Sequence, residues 1–363
     1  MFDWVPIQSY SYYYYQVILV VILLLLVHTY LVDFEDAISI RFNKIMCTIL
    51  FFFILLYIGL RPVNGVFVDM LTYAQTFELY QDGFEFDNSG DIGFTNLIYF
   101  CSQNTSIIFF FFFCAAVYLV PIWYLSKKLF GDHWAYSFII LVGSFSFWSY
   151  GTNGIRNGMA TSLFLLAFVF FKRKFILVVV LLLSISFHQS LILPALVFGL
   201  TLLNNNPKKY FIVWLVAIPL SLILGGFWEN FFAGLGFGDE RTSYLIDDSN
   251  ATEFSSTGFR WDFLLYSASG IFAGMYFIFK KNFQDKLYNH LFNIYMMTNA
   301  FWILVIRANF SNRFAYLSWF LLGLIIIYPI LKSTEIKNRN KLLGKIIFVY
   351  YIFTYTLNVI LVR

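Results

Sequence analysis

Charge is scarce in this 363-residue chain: 12% of its residues are Asp, Glu, Lys or Arg, against 60% apolar and 22% aromatic. That balance excludes a soluble domain of this length and identifies an all-α, polytopic membrane protein. Alternating ten-residue segments are also missing. Runs such as Ile107–Leu125 are continuously apolar, which excludes a β-barrel. Cysteine is limited to Cys47, Cys101 and Cys114, all in apolar stretches without metal-ligand spacing. Packing is their expected role, and neither a metal nor another cofactor is expected. There is no HExxH, no Walker loop and no serine elbow. The net charge of +4 is spread over short loops and makes no case for nucleic acid. The N-terminus has no basic region or small-residue cleavage site, so no signal peptide is expected.

What is present is a succession of apolar runs. They predict about twelve spans, near 12–32, 45–60, 96–125, 134–150, 157–171, 175–187, 189–203, 210–227, 261–279, 287–306, 314–331 and 342–361. The third is expected to break near Ser102–Ser106 into a short re-entrant piece and a full span. No internal repeat or low-complexity linker divides the chain, so residues 1–363 are expected to form one membrane domain.

This topology sorts the cations by type. All fourteen lysines, from Lys44 to Lys345, lie in or beside alternate loops, whereas the opposite loops carry Arg61, Arg156, Arg241, Arg260, Arg307 and Arg313. The lysine side is cytoplasmic by the positive-inside rule, which puts both termini outside. Arginines on the far side oppose that bias. Their planar, permanently charged fork binds phosphate bidentately, so an external cluster points to an enzyme handling a lipid-linked pyrophosphate. Snorkelling to lipid headgroups is the structural alternative.

Two external loops, about 61–95 and 228–260, are acidic and aromatic, with Asp69, Asp91, Phe84, Trp228, Tyr244 and the pair Asp247–Asp248. Carboxylates accept hydrogen bonds from sugar hydroxyls and rings stack on pyranose faces. Acids also collect on outer loops simply because positive charge is excluded there. His188 is the one histidine outside the cytoplasmic half, between two short apolar arms. An arm of thirteen residues rises only ~20 Å against a core of about 30 Å, so His188 is expected below the outer surface. Its near-neutral titration suits removal of a hydroxyl proton. A hairpin residue bonded to a carbonyl is the alternative. Arg156 lies in Gly151-Thr152-Asn153-Gly154-Ile155-Arg156-Asn157-Gly158, where the next helix presents its N-terminus and Asn153 is the expected cap. Arg307 and Arg313 flank a second anion-binding candidate that contains Asn309, Ser311 and Asn312.

Several short segments together resemble the EpsG family and, more broadly, Wzy-type O-antigen polymerases. They are Gly59-Leu60-Arg61, Asp69 with Tyr73, Asp91-Ile92-Gly93-Phe94, Gly154 through Ala160, Phe187-His188-Gln189-Ser190, and Asn312-Arg313-Phe314. Asp91 stands where the family commonly has Glu, and Asn157 where Gln is common. The resemblance covers about residues 45–330. It implies a metal-independent, GT-C-like glycosyltransferase in the bacterial cytoplasmic (inner) membrane, joining undecaprenyl-pyrophosphate-linked repeat units at its outer face. His188 and Asp69 are then the candidate catalytic residues. Arg61, Arg156, Asn157, Arg260, Arg307, Arg313, Tyr73 and Asp91 are the candidate substrate or pyrophosphate ligands. Expected partners are the lipid-linked oligosaccharide, membrane lipid, a chain-length regulator and a flippase. An O-antigen-ligase-type transferase, a membrane O-acyltransferase and a lipid-linked glycan transporter stay open as rivals. The acyltransferase leaves the arginines unexplained. The transporter lacks the expected inverted repeats.

Overall fold

The computed structural model describes residues 2, 4–84, 90–234, 258–308 and 311–361. It is all-helical, 82% helix, with no strand among the described residues. The first stretch contains α1 (Tyr10–Leu31), α2 (Ala37–Gly59), α3 (Val68–Gln81), α4 (Ile92–Asn104) and α5 (Ile107–Phe130). Next come α6 (Trp134–Val142), α7 (Phe147–Thr152), α8 (Ile155–Val169), α9 (Lys174–Phe187) and α10 (Ile192–Leu203). The remainder is α11 (Pro207–Gly234), α12 (Trp261–Met275), α13 (Lys286–Leu304), α14 (Ser311–Lys332) and α15 (Arg339–Tyr355). Several starts are capped: Asp36 and Asp285 accept from the amides of Ser39 and Tyr288, each at 2.8 Å.

Among the described residues, seven helical stretches are long and apolar enough to cross a membrane, and three shorter apolar helices lie between 155 and 203. Two departures from the predicted spans matter. The expected span at 134–150 is broken, α6 ending at Val142 and α7 starting at Phe147. Nine residues of α6 rise only about 14 Å, too little to cross a bilayer alone. Gly143, Ser144 and Ser146 fill the break, and tyrosine hydroxyls take carbonyls on both sides of it. Tyr14 donates to the carbonyl of Val142 at 2.6 Å and Tyr118 to that of Phe147 at 3.0 Å. Non-helical backbone is tolerated at membrane depth only when protein supplies such partners. The second departure is α3, a helix of mixed polarity inside the expected loop 61–95. The expected break after 102 is there, between α4 and α5, where Ser106 caps α5 by accepting from the Phe109 amide at 3.3 Å.

The chain divides into two compact units, residues 1–188 with 330–363, and residues 189–329. In the first, α1 packs on α15, α2 on α5, α5 on α6 and α8, and α9 on both α4 and α8. Lysines gather at one end, where Lys44 pairs with Asp132 and Arg339 with Glu35. Helices α2 and α9 begin at this end, and α5 and α8 finish there, so Arg61, Arg156 and His188 fall at the other end. In the second unit α13 packs on α10, α11 and α12. Lys286 lies beside Asn205, whose side chain donates to its carbonyl at 3.0 Å, while Arg307 meets the far part of α11 at Leu222. In the first unit Arg61 and Arg156, and in the second Arg307, thus lie away from the lysines, whereas Arg41, Arg173 and Arg339 keep company with them.

Candidate functional site

Four residues distant in sequence meet at the arginine end of the first unit. Asp91 occupies the N-cap of α4, but its side chain makes no cap hydrogen bond. One carboxylate oxygen, Oδ2, lies 3.1 Å from Nη1 of Arg156 and 3.4 Å from Nδ1 of His188. Arg156 also donates from Nε to the Tyr73 hydroxyl at 3.0 Å. The side chains of Asp91 and His188 are each 6% exposed, whereas that of Arg156 is 31% exposed. The acid and the imidazole are therefore enclosed, and the guanidinium is the most exposed of the three groups.

Local sequence explains how each member is held. His188 ends α9 in an extended conformation, its amide donating to the Ser184 carbonyl at 3.2 Å. Ser184 in turn donates to the Ala160 carbonyl at 2.8 Å, which ties the last turn of α9 to α8. Gly93, in the first turn of α4, lets that helix press on α9: a Cβ there would meet the Ser186 hydroxyl at 2.4 Å and its carbonyl carbon at 2.9 Å. Gly158 does the same for α8, where a Cβ would lie 2.4 Å from the Tyr150 carbonyl oxygen. Gly90, with φ of +92°, makes the left-handed turn into Asp91. The Tyr73 ring rests on Phe94, with centroids 4.9 Å apart. Burial pushes the Tyr73 phenol well above its usual range, and Arg156 pulls the other way.

Arg61, Asn157 and Asp69 lie in the same unit. Arg61 is buried, donates to the carbonyls of Ile58 and Thr152, and lies over Phe67 and Phe111. Burial brings its guanidinium down to about 10, so it is cationic at neutral pH. It braces the carbonyl end of α7, four residues before Arg156. Asn157 is 4% exposed. Asp69 sits one turn before Tyr73 on the same face of α3, and its charge is felt at the phenol. Asn153 ends α7, and Gly154 occupies the N-cap of α8 in its place. Glycine is a natural cap where the backbone turns tightly.

Arg260, Arg307 and Arg313 belong to the second unit. Arg260 holds Asp262 through two hydrogen bonds, at 3.0 and 2.6 Å. Arg307 reaches the Leu222 carbonyl at 3.4 Å beside the kink in α11 at Leu224. A bend there leaves carbonyls without their helical donors, and Leu222 finds a guanidinium. Arg313 is in the first turn of α14. Glu85, Phe86, Asp87, Arg241, Tyr244, Asp247, Asp248, Asn309 and Phe310 lie outside the described residues. Among the described residues no three His, Cys, Asp or Glu side chains converge as metal ligands.

The pairing that sequence reasoning did not supply is Asp91 with His188 and Arg156 together. Its one local signal was an acid directly before a helix start in an aromatic segment. Fold and site define a polytopic helical membrane protein with an enclosed acid–imidazole pair beside a more exposed guanidinium at one end of the first unit's helices. The chain belongs to the EpsG family, whose model matches residues 44–362. Membership points to a polysaccharide-polymerase-like membrane protein of glycosyltransferase character. Searches of curated proteins and of solved structures find no match.

Proposed function

We propose that this protein is a GT-C-like, metal-independent polysaccharide polymerase acting on repeat units linked to undecaprenyl pyrophosphate. It works at the outer face of the bacterial cytoplasmic membrane. The observation that carries this reading is the shared Asp91 oxygen, which couples a candidate base to a candidate phosphate ligand. In this reading the imidazole carries its hydrogen on Nδ1, the nitrogen 3.4 Å from the Asp91 carboxylate, and its lone pair on Nε2. Nε2 removes the proton from a hydroxyl of the incoming repeat unit. That oxygen then bonds to the anomeric carbon of the growing chain, and the bond from this carbon to the phosphate oxygen breaks. The departing electron pair becomes negative charge on undecaprenyl pyrophosphate, beside Arg156. An arginine preserves its charge in an enclosed setting and matches phosphate geometry.

The test is incubation of purified protein in nanodiscs with a synthetic lipid-linked repeat unit, followed by product sizing. Wild type should yield a ladder, and His188→Ala should keep its fold and lose roughly two to four orders of magnitude in rate. The wild-type rate should also fall on acidification, because imidazolium has no lone pair to accept the proton. A normal ladder from His188→Ala together with a dead Asp69→Asn would transfer the role of base to Asp69. A single transfer to a different acceptor, without a ladder, would overturn polymerisation in favour of a ligase.

A further inference from the structure

We propose that Tyr73 is a direct ligand of the departing pyrophosphate, donating its phenolic hydrogen to a phosphate oxygen held by Arg156. The role rests on the polymerase reading, but the geometry behind it is independent. Arg156 donates to the Tyr73 oxygen at 3.0 Å, and a guanidinium has no acceptor to offer in return. The phenolic hydrogen must therefore point elsewhere. Among the described residues none accepts it, although Tyr73 is only 8% exposed. A buried hydroxyl without an acceptor is unfavourable, so the site as it stands is one acceptor short. The missing acceptor lies beside the Arg156 guanidinium, whose charge selects an anion with oxygens on several sides: a phosphate or pyrophosphate group.

During transfer the phenol keeps its proton. The acceptor hydroxyl's proton goes to His188, the new bond forms at the anomeric carbon, and the leaving oxygen retains the electron pair. Tyr73 and Arg156 share the stabilisation of that oxygen's group. A neutral phenol is required, and burial keeps Tyr73 protonated through the physiological range.

A merely orienting role, in which Tyr73 accepts from Arg156 and nothing more, is separated by two variants. Tyr73→Phe removes the hydroxyl and keeps the ring on Phe94. Replacement of Tyr73 by 3,5-difluorotyrosine keeps the oxygen for Arg156 but lets the phenol ionise at a lower pH than tyrosine does in the same site. Binding of inorganic pyrophosphate in nanodiscs is measured by calorimetry across pH. Tyr73→Phe should weaken binding by about ten- to a hundredfold, the range for a hydrogen bond to a charged group. The difluoro variant should bind like wild type in acid and lose affinity as its phenol ionises. Unchanged affinity in Tyr73→Phe, a difluoro profile parallel to wild type, or no pyrophosphate binding by wild type would each overturn the assignment. None of these readouts needs turnover. Pyrophosphate binding with this pH signature in a protein that forms no ladder would sink the polymerase reading and leave Tyr73 as an anion ligand. A wild-type ladder with normal turnover by Tyr73→Phe would do the reverse.

Discussion

Gly93→Ala tests whether the spacing of α4 and α9 sets the activity. The new Cβ would lie 2.4 Å from the Ser186 hydroxyl oxygen and 2.9 Å from both the carbonyl carbon and oxygen of that residue. The hydroxyl can rotate, but the backbone atoms cannot. Ordinary contact starts at 3.4 Å, so the start of α4 must retreat by about 0.5 Å. Asp91 is two residues away on the same turn and retreats with it, stretching its 3.4 Å approach to His188. Overpacking of this kind costs about 1–3 kcal/mol, visible as a lower melting temperature in nanodiscs. A misplacement near 1 Å costs about a hundredfold in rate, so half of it should cost roughly tenfold in ladder formation. Ser186→Ala should not rescue the variant, because the obstructing atoms belong to the backbone. Gly199→Ala is the control: nothing lies within 4 Å of that Cβ, in the interior of α10. It should be neutral, or stabilise by about 0.5–1 kcal/mol through helix propensity. Wild-type turnover in Gly93→Ala, or full rescue by Ser186→Ala, would refute the reasoning.

The guanidinium fork gives a second expectation. Arg156→Lys should be nearly as damaging as Arg156→Ala, since an ammonium cannot bond Tyr73, Asp91 and a phosphate with the same planar geometry; full activity of the lysine variant would reduce Arg156 to a headgroup contact. For topology, an impermeant thiol reagent should label Gly65→Cys in intact cells and Asn206→Cys only after permeabilisation. Labelling of Asn206→Cys alone would invert the proposed orientation.

Much of the fold was legible because apolar runs and helix stops are local. The ends of α1, α9 and α10 fall within a few residues of the expected ones, and Arg61 and Arg156 lie at the end of the first unit's helices away from Lys44, Lys128 and Lys174. The break between α6 and α7 was not legible, because Phe147, Trp148 and Tyr150 prolong the apolar signal. What permits it is a pair of hydroxyls, on Tyr14 and Tyr118, far away in sequence. Helix α3 was hidden for the opposite reason: its polar positions read as loop. At the site, Tyr73, Asp91, Arg156 and His188 could each be singled out, but no spacing encodes that one oxygen of Asp91 serves two of the others. Charge sign is equally mute about the carbonyls bonded by Arg61 and Arg307, since helix ends and kinks attract guanidinium as phosphates do.

The distances along the chain between those residues have a consequence for how the protein is made. Asp91 is synthesised 65 residues before its ion-pair partner Arg156, a wait of about 3–13 s at ordinary elongation rates. An unpaired carboxylate is costly inside a bilayer, so throughout that interval the head of α4 must stay at the aqueous boundary. It can be enclosed only when the nascent chain has delivered α8 and then α9. Assembly of the site is therefore a late event in membrane insertion. A chain that stalls before α9 leaves a hydrated acid at the surface, a state that quality-control proteases can recognise and the finished protein conceals.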